Sequence, residues 1–279
     1  VLNEVSQAMT TTHRRGVLVA VANPEGVAPL MAIALAASDP DDEPPPRVLA
    51  LIRQRDAAAG TEVQGAQAQT PPSPALTAAI EHARARGVTI DAQATHSNDP
   101  ALDILTTARA AEVGWILLGY HRAASGGDTL GGVVREVFVK AKELPINVGV
   151  FIQGTDSPFE RVFAAIDTGP DGRAALDLGA RIARSNRSRL RALLISHDEL
   201  AISATQPDAA LVDMIRDARA RMGRLFHTDV LTQRSRQQLF RQSPGRLLIV
   251  GKRFADEIGL PLDEAPDGDR CVIVVQGAH

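Results

Sequence analysis

Val17-Leu18-Val19-Ala20-Val21 stops at Asn23-Pro24-Glu25-Gly26 and gives way to an Ala- and Leu-rich run over 27–38. A short run that is apolar at every position suits a strand buried on both faces. The longer run after a turn signal predicts a helix. Outward from this unit the alternation recurs. After the break Asp39-Pro40-Asp41-Asp42-Glu43-Pro44-Pro45-Pro46 comes a second strand, Arg47-Val48-Leu49-Ala50-Leu51-Ile52. The stretch 57–74 has no periodicity and reads as a loop. A helix over 75–86 stops at Gly87, and strands are expected at 88–94, 115–118 and 147–152. Between them, helices are expected over 99–112, with Leu102, Leu105 and Ala108 on one face, and over 132–143. Strands alternating with helices specify a parallel sheet covered on both sides.

The scheme is then repeated. Val162-Phe163-Ala164-Ala165-Ile166-Asp167 is a second first strand, followed by a helix over 172–184. Strands at 190–195, 226–231, 247–250 and 271–275 and helices at 208–224 and 235–241 complete the copy. The stretch between Gly251 and Cys271 is a weaker helix than its counterpart. A repeat of this size indicates duplication. The expected class is therefore α/β, with two tandem five-stranded parallel-sheet domains, 16–153 and a degenerate 159–279, after an arm over 1–15.

Composition narrows the function classes. Lys+Arg 30 against Asp+Glu 33 gives a net charge of −3 and no electrostatic reason to expect nucleic acid. The single cysteine, Cys271, excludes an internal disulfide and any CxxC site. The seven histidines show no HxxxH or HExxH spacing, so no metal is expected. No Walker-type lysine loop, GxGxxG or GxSxG elbow occurs, and no catalytic residue is assigned.

One segment has the composition of a binding site. Gly119-Tyr120-His121-Arg122-Ala123-Ala124-Ser125-Gly126-Gly127-Asp128-Thr129-Leu130-Gly131-Gly132 leaves a strand and opens a helix. Backbone amides of such a loop, with the helix N-terminus behind them, can receive phosphate oxygens. Candidate ligand-binding residues are Gly119, His121, Arg122, Gly126, Gly127, Gly131 and Gly132. A crossover loop with no ligand is the alternative that spacing leaves open.

The segment resembles the universal stress proteins, a Rossmann-like family with the pattern G-x2-G-x9-G-[ST] at this place. Gly119 and Gly132 match its first and third glycines, while Arg122 and Val133 replace the second glycine and the hydroxyl residue. The adenine-contacting aspartate that the family places after strand one falls on Ala22 here, and on Asp167 in the second half. Glu264 stands where the second half should carry its late glycine. Asp167 joins the candidate site on this resemblance, beside the plainer reading that it caps the following turn.

Leu117-Leu118-Gly119-Tyr120-His121-Arg122 and Leu130-Gly131-Gly132-Val133-Val134-Arg135-Glu136-Val137 are also similar to the stress-protein-like tails of bacterial monovalent cation/proton antiporters. That resemblance implies a non-enzymatic regulatory domain on the cytoplasmic face of the membrane. Residues 1–15, with His13-Arg14-Arg15, would be the arm from a transmembrane antiporter domain of the same chain. It further implies a nucleotide ligand (ATP, AMP or cyclic di-AMP) and a homodimer formed through a last strand, 147–152 or 271–275. A free-standing cytoplasmic tandem stress protein and a weak nucleotide hydrolase are the other expectations.

Overall fold

A computed structural model describes residues 16–38, 43–53, 73–120, 130–152, 159–195, 209–231, 234–243, 247–260 and 271–278. Its strands are β1 (Val17–Val21), β2 (Arg47–Arg53), β3 (Asp91–Ser97), β4 (Trp115–Tyr120), β5 (Asn147–Ile152), β6 (Arg161–Ile166), β7 (Arg189–Ile195), β8 (Phe226–Leu231), β9 (Leu247–Gly251) and β10 (Cys271–Gln276). The helices are α1 (Val27–Ala37), α2 (Pro74–Ala85), α3 (Pro100–Ala110), α4 (Leu130–Ala141), α5 (Pro170–Ser185), α6 (Ala209–Met222), α7 (Arg236–Gln242) and α8 (Lys252–Glu257).

All ten strands form one sheet, in the order β3-β2-β1-β4-β5-β10-β9-β6-β7-β8. Each half therefore has its first strand between its second and fourth, with its last strand at the seam. Pairing is parallel within each half, for example Val19↔Leu117 and Ala164↔Ile249. Across the seam it is antiparallel, from Val272↔Ile152 to Gln276↔Val148. The sequence implies two sheets; the structure joins them edge to edge through their last strands.

This seam corrects one expectation. Strands 147–152 and 271–275 were the expected route to a homodimer. Each is paired on both sides within the chain, β5 by β4 and β10, and β10 by β5 and β9. Their backbone groups have no edge left to offer a second copy.

Burial explains the apolar runs. VLVAV in β1, LLIVG in β9 and CVIVVQ in β10 are buried at every position. Helices α1, α2, α5 and α6 cover one face, and α3, α4, α7 and α8 the other. The outer strand β3 is mostly exposed and polar, and it begins at Asp91 rather than at 88. Its alternation is weak because only one neighbour, β2, pairs with it. In α3 the buried stripe is Ala101, Ile104, Leu105 and Ala108, and Leu102 is 51% exposed, so the expected face is rotated by one position.

Local chemistry sets the helix starts. Asn23 accepts the Glu25 N–H at 3.1 Å, and Asp99 accepts the Leu102 N–H at 3.0 Å ahead of Pro100. The Leu102 N–H holds the Asp99 carboxyl below the ordinary aspartate range against a small burial effect, with Lys140 assisting. A depressed carboxyl stabilises the fold above its unfolded pKa and stops doing so as pH falls through the folded value. An NMR titration of Asp99 should give a midpoint below that of a model peptide, and Lys140→Ala should move it upward.

The halves are also clamped by charge. Arg181 of α5 donates from Nε to Asp177 at 2.9 Å and from Nη1 to Glu43 at 2.5 Å and the Ala37 carbonyl at 3.4 Å. Trp115 Nε1 of β4 donates to Asp177 Oδ2 at 3.1 Å. Trp115, fully buried in β4, is thus also half of a polar contact between the two halves.

Candidate functional site

In open parallel sheets, ligands are received where the strand order reverses, beyond the carboxyl ends of the two strands flanking that point. Here each half has such a point, β1/β4 in the first and β6/β9 in the second.

The second is filled by the protein itself. Pro170 opens α5, and the Asp171 carboxylate that follows crosses the crevice. Its Oδ2 accepts the Arg253 N–H at the start of α8 at 2.9 Å, and its Oδ1 accepts the Gly277 N–H at 2.9 Å. These are backbone donors of the kind that a bound anion would take at a helix start. Three glycines allow the fit. A Cβ on Gly172 would lie 2.0 Å from the Asp167 carbonyl oxygen, and one on Gly277 would lie 2.1 Å from the Pro170 carbonyl oxygen. One on Gly251 would lie 2.9 Å from Asp171 Cβ. Asp167 follows β6 and is 3% exposed beneath this plug.

Asp171→Ala removes the acceptor shared by two backbone donors. It should destabilise the chain by about 1.5–3 kcal/mol, the range for hydrogen bonds to a charged group. Chemical denaturation measures this directly.

The first switch point is built differently. Ala22 follows β1 and is exposed, so no carboxylate stands in the place of Asp167. Glu25 follows Pro24 as Asp171 follows Pro170, but it is exposed, and its backbone N–H is bound by Asn23. Gly119 is buried near the end of β4, and Tyr120 is half-buried beside it. Helix α4 begins at Leu130, so Gly131 and Gly132 belong to its first turn. Gly131 is buried; Gly132 is exposed, with no described residue within 4 Å of where a Cβ would stand. Helix α4 is twelve residues long, against six for α8. Its first-turn amides have no partner within the helix, and the positive end of its dipole lies at this crevice.

The structure thus places Gly119, Gly131 and Gly132 at one switch point and Asp167 at the other. His121, Arg122, Gly126 and Gly127 lie outside the described residues, as do the arm 1–15 and Glu264. Among the described residues no cluster of His, Cys, Asp and Glu could hold a metal. No described helix is long and apolar enough to cross a membrane. Sequence reasoning missed Asp171 and Gly277, whose partners are 82 and 106 residues distant from Asp171 in the chain. The available signal was the shared Pro–acid pair after each first strand.

No protein-family model and no curated protein matches the sequence. Solved structures do match in fold. One is a universal stress protein from Archaeoglobus fulgidus DSM 4304, at 14% identity and a TM-score of 0.53, covering 94% of this chain and 96% of that one. Another is the cytoplasmic domain of a prokaryotic cation chloride cotransporter, at 12% identity and a TM-score of 0.57, covering 95% of this chain and 96% of that one.

Proposed function

We propose that the chain is a non-enzymatic regulatory domain that senses one adenine nucleotide or cyclic dinucleotide at its first switch point, as the cytosolic part of a cation/proton antiporter. The observation that carries the reading is the difference between the two crevices. The second holds its own carboxylate on the backbone donors at the start of α8 and the end of β10. The first leaves Gly131 and Gly132 at the start of a long helix with no such carboxylate among the described residues. The transporter assignment draws support from the cotransporter domain that shares the fold over nearly its full length. A homodimer in this reading must form by a surface other than the last strands.

Regulation requires that the nucleotide bind two conformations of the domain unequally, since equal affinity shifts nothing. In this reading the transmitter is the seam, since the halves share one sheet through β5 and β10.

The direct test is calorimetric titration of the purified chain with ATP, AMP and cyclic di-AMP. Arg122→Ala should weaken binding by about 1.5–3 kcal/mol if the arginine donates to a phosphate. Gly132→Asp should weaken it further, because it puts a negative charge in the first turn of α4. Unchanged affinity in both variants would remove the loop from the site.

A second reading, a free-standing tandem stress protein that binds ATP or AMP, is favoured by the likeness to the Archaeoglobus protein. The reading frame upstream of Val1 separates the two: a series of hydrophobic helices supports the antiporter, and a start codon supports the free protein. A weak nucleotide hydrolase would need turnover of ATP with magnesium that is lost in Arg122→Ala.

A further inference from the structure

The duplication is unequal in its last helix. On one face of the sheet α1 and α5 pack directly on each other across the seam. On the other face the counterparts are α4 and the half-length α8, and a groove of about 590 Å³ separates them. That volume falls within the range of small-molecule sites.

The groove has a definite chemistry. Its middle is apolar and aromatic, with Phe138 as its floor and Val139, 65% exposed, on its rim. Arg135 of α4 and Lys142, just past the last turn of that helix, line the same wall of the groove. Neither meets an acidic partner among the described residues. Lys252 faces them from α8, its Nζ 5.7 Å from the centre of the Phe138 ring. Asp256 also lines the groove, and Lys252 neutralises it at 2.5 Å.

The walls are fixed in place. Gln276 Nε2 of the second half donates to the Phe138 carbonyl of the first at 2.9 Å. The Ala278 N–H donates to Asn147 Oδ1 at 2.8 Å, and Asp171 anchors the start of α8. A groove held by hydrogen bonds from both halves loses little freedom when a ligand enters.

We infer that the groove between α4 and α8 is a binding site for an organic dianion with a flat apolar middle, its two anionic groups received by Arg135 at one end and by Lys142 at the other. The Phe138 ring, which lines the groove with them, takes its body. The site adjoins the nucleotide crevice, with Tyr120 and Gly131 at their common border, and extends from there along the helix faces to residues of the second half.

The probe is bis-ANS, an aromatic disulfonate, titrated by fluorescence onto the full chain. The expected result is saturable binding of one molecule per chain. Arg135→Glu and Lys142→Glu should each weaken it by about tenfold, as expected for loss of a charged hydrogen bond. Arg224→Glu makes the same charge change at an exposed site in the second half and should leave affinity within about twofold, since distant exposed charges are screened. ANS, with one sulfonate, should bind at least about tenfold more weakly than the disulfonate. Thermal melting checks that each variant remains folded. Equal losses in all three variants, equal affinity for the two dyes, or no saturable binding would each overturn the site. A chain that binds AMP but not bis-ANS keeps the nucleotide reading and loses this one; the reverse result does the opposite.

Discussion

Arg181→Ala should cost the chain about 3 kcal/mol of stability, near the lower end of what breaking a buried ion pair costs. The side chain of Arg181 is 21% exposed and that of Glu43 is 5% exposed. Removing the guanidinium leaves the Glu43 carboxylate buried without its cation, and leaves Asp177 with Trp115 Nε1 alone among the described residues. It also cuts the bond from α5 to the Ala37 carbonyl at the end of α1. Burial alone would lower the arginine's pKa, but Asp177 and Glu43 outweigh it and raise it, so the guanidinium stays charged in the working range. Glu43, Ala37 and Trp115 lie in the first half and Asp177, like Arg181, in the second, so the loss loosens the seam. Urea unfolding of the variant should show a lower midpoint. Adding Glu43→Gln and Asp177→Asn to Arg181→Met should recover much of the loss, because no uncompensated charge remains. If Arg181→Ala alone is neutral, the network is ornamental and the seam is held by β5 and β10 only.

Gly172→Ala is the second large effect, expected at about 3 kcal/mol, the upper part of the overpacking range. The added Cβ meets backbone, 2.0 Å from the Asp167 carbonyl oxygen and 2.9 Å from its carbonyl carbon. Backbone cannot rotate away as a side chain does, so α5 must shift and take Asp171 off the Arg253 and Gly277 amides. Gly132→Ala is the matched control. It lies in the first turn of α4 with no described residue within 4 Å of where its Cβ would go, and should be neutral or stabilise by about 0.5–1 kcal/mol. Equal costs at both positions would mean that the second crevice is no tighter than the first.

The alternation of fully apolar runs with helical runs made the fold readable. It identified β5 and β8 to the residue, because Asn147 and Phe226 follow clear stops. It displaced β3, an outer strand whose residues Asp91 to Ser97 carry little apolar signal. It was silent on the seam. Val148-Gly149-Val150 and Val272-Ile273-Val274 read the same whether the strand beyond belongs to this chain or another copy. The glycine pattern placed Gly119, Gly131 and Gly132 at a switch point, because a strand end followed by a helix start is local information. The filling of the other crevice was not legible. It depends on Asp171 meeting two amides remote in sequence, and a lone aspartate after a proline looks like an ordinary helix start.

The most direct measurement is native mass spectrometry of the chain with ATP, ADP, AMP and cyclic di-AMP, repeated for Gly132→Asp and Asp171→Asn. The expected result is one nucleotide per chain, lost in Gly132→Asp and retained in Asp171→Asn. Two nucleotides per chain, or one that survives Gly132→Asp and vanishes in Asp171→Asn, would put the ligand in the second crevice. No nucleotide in any sample would contradict nucleotide sensing altogether.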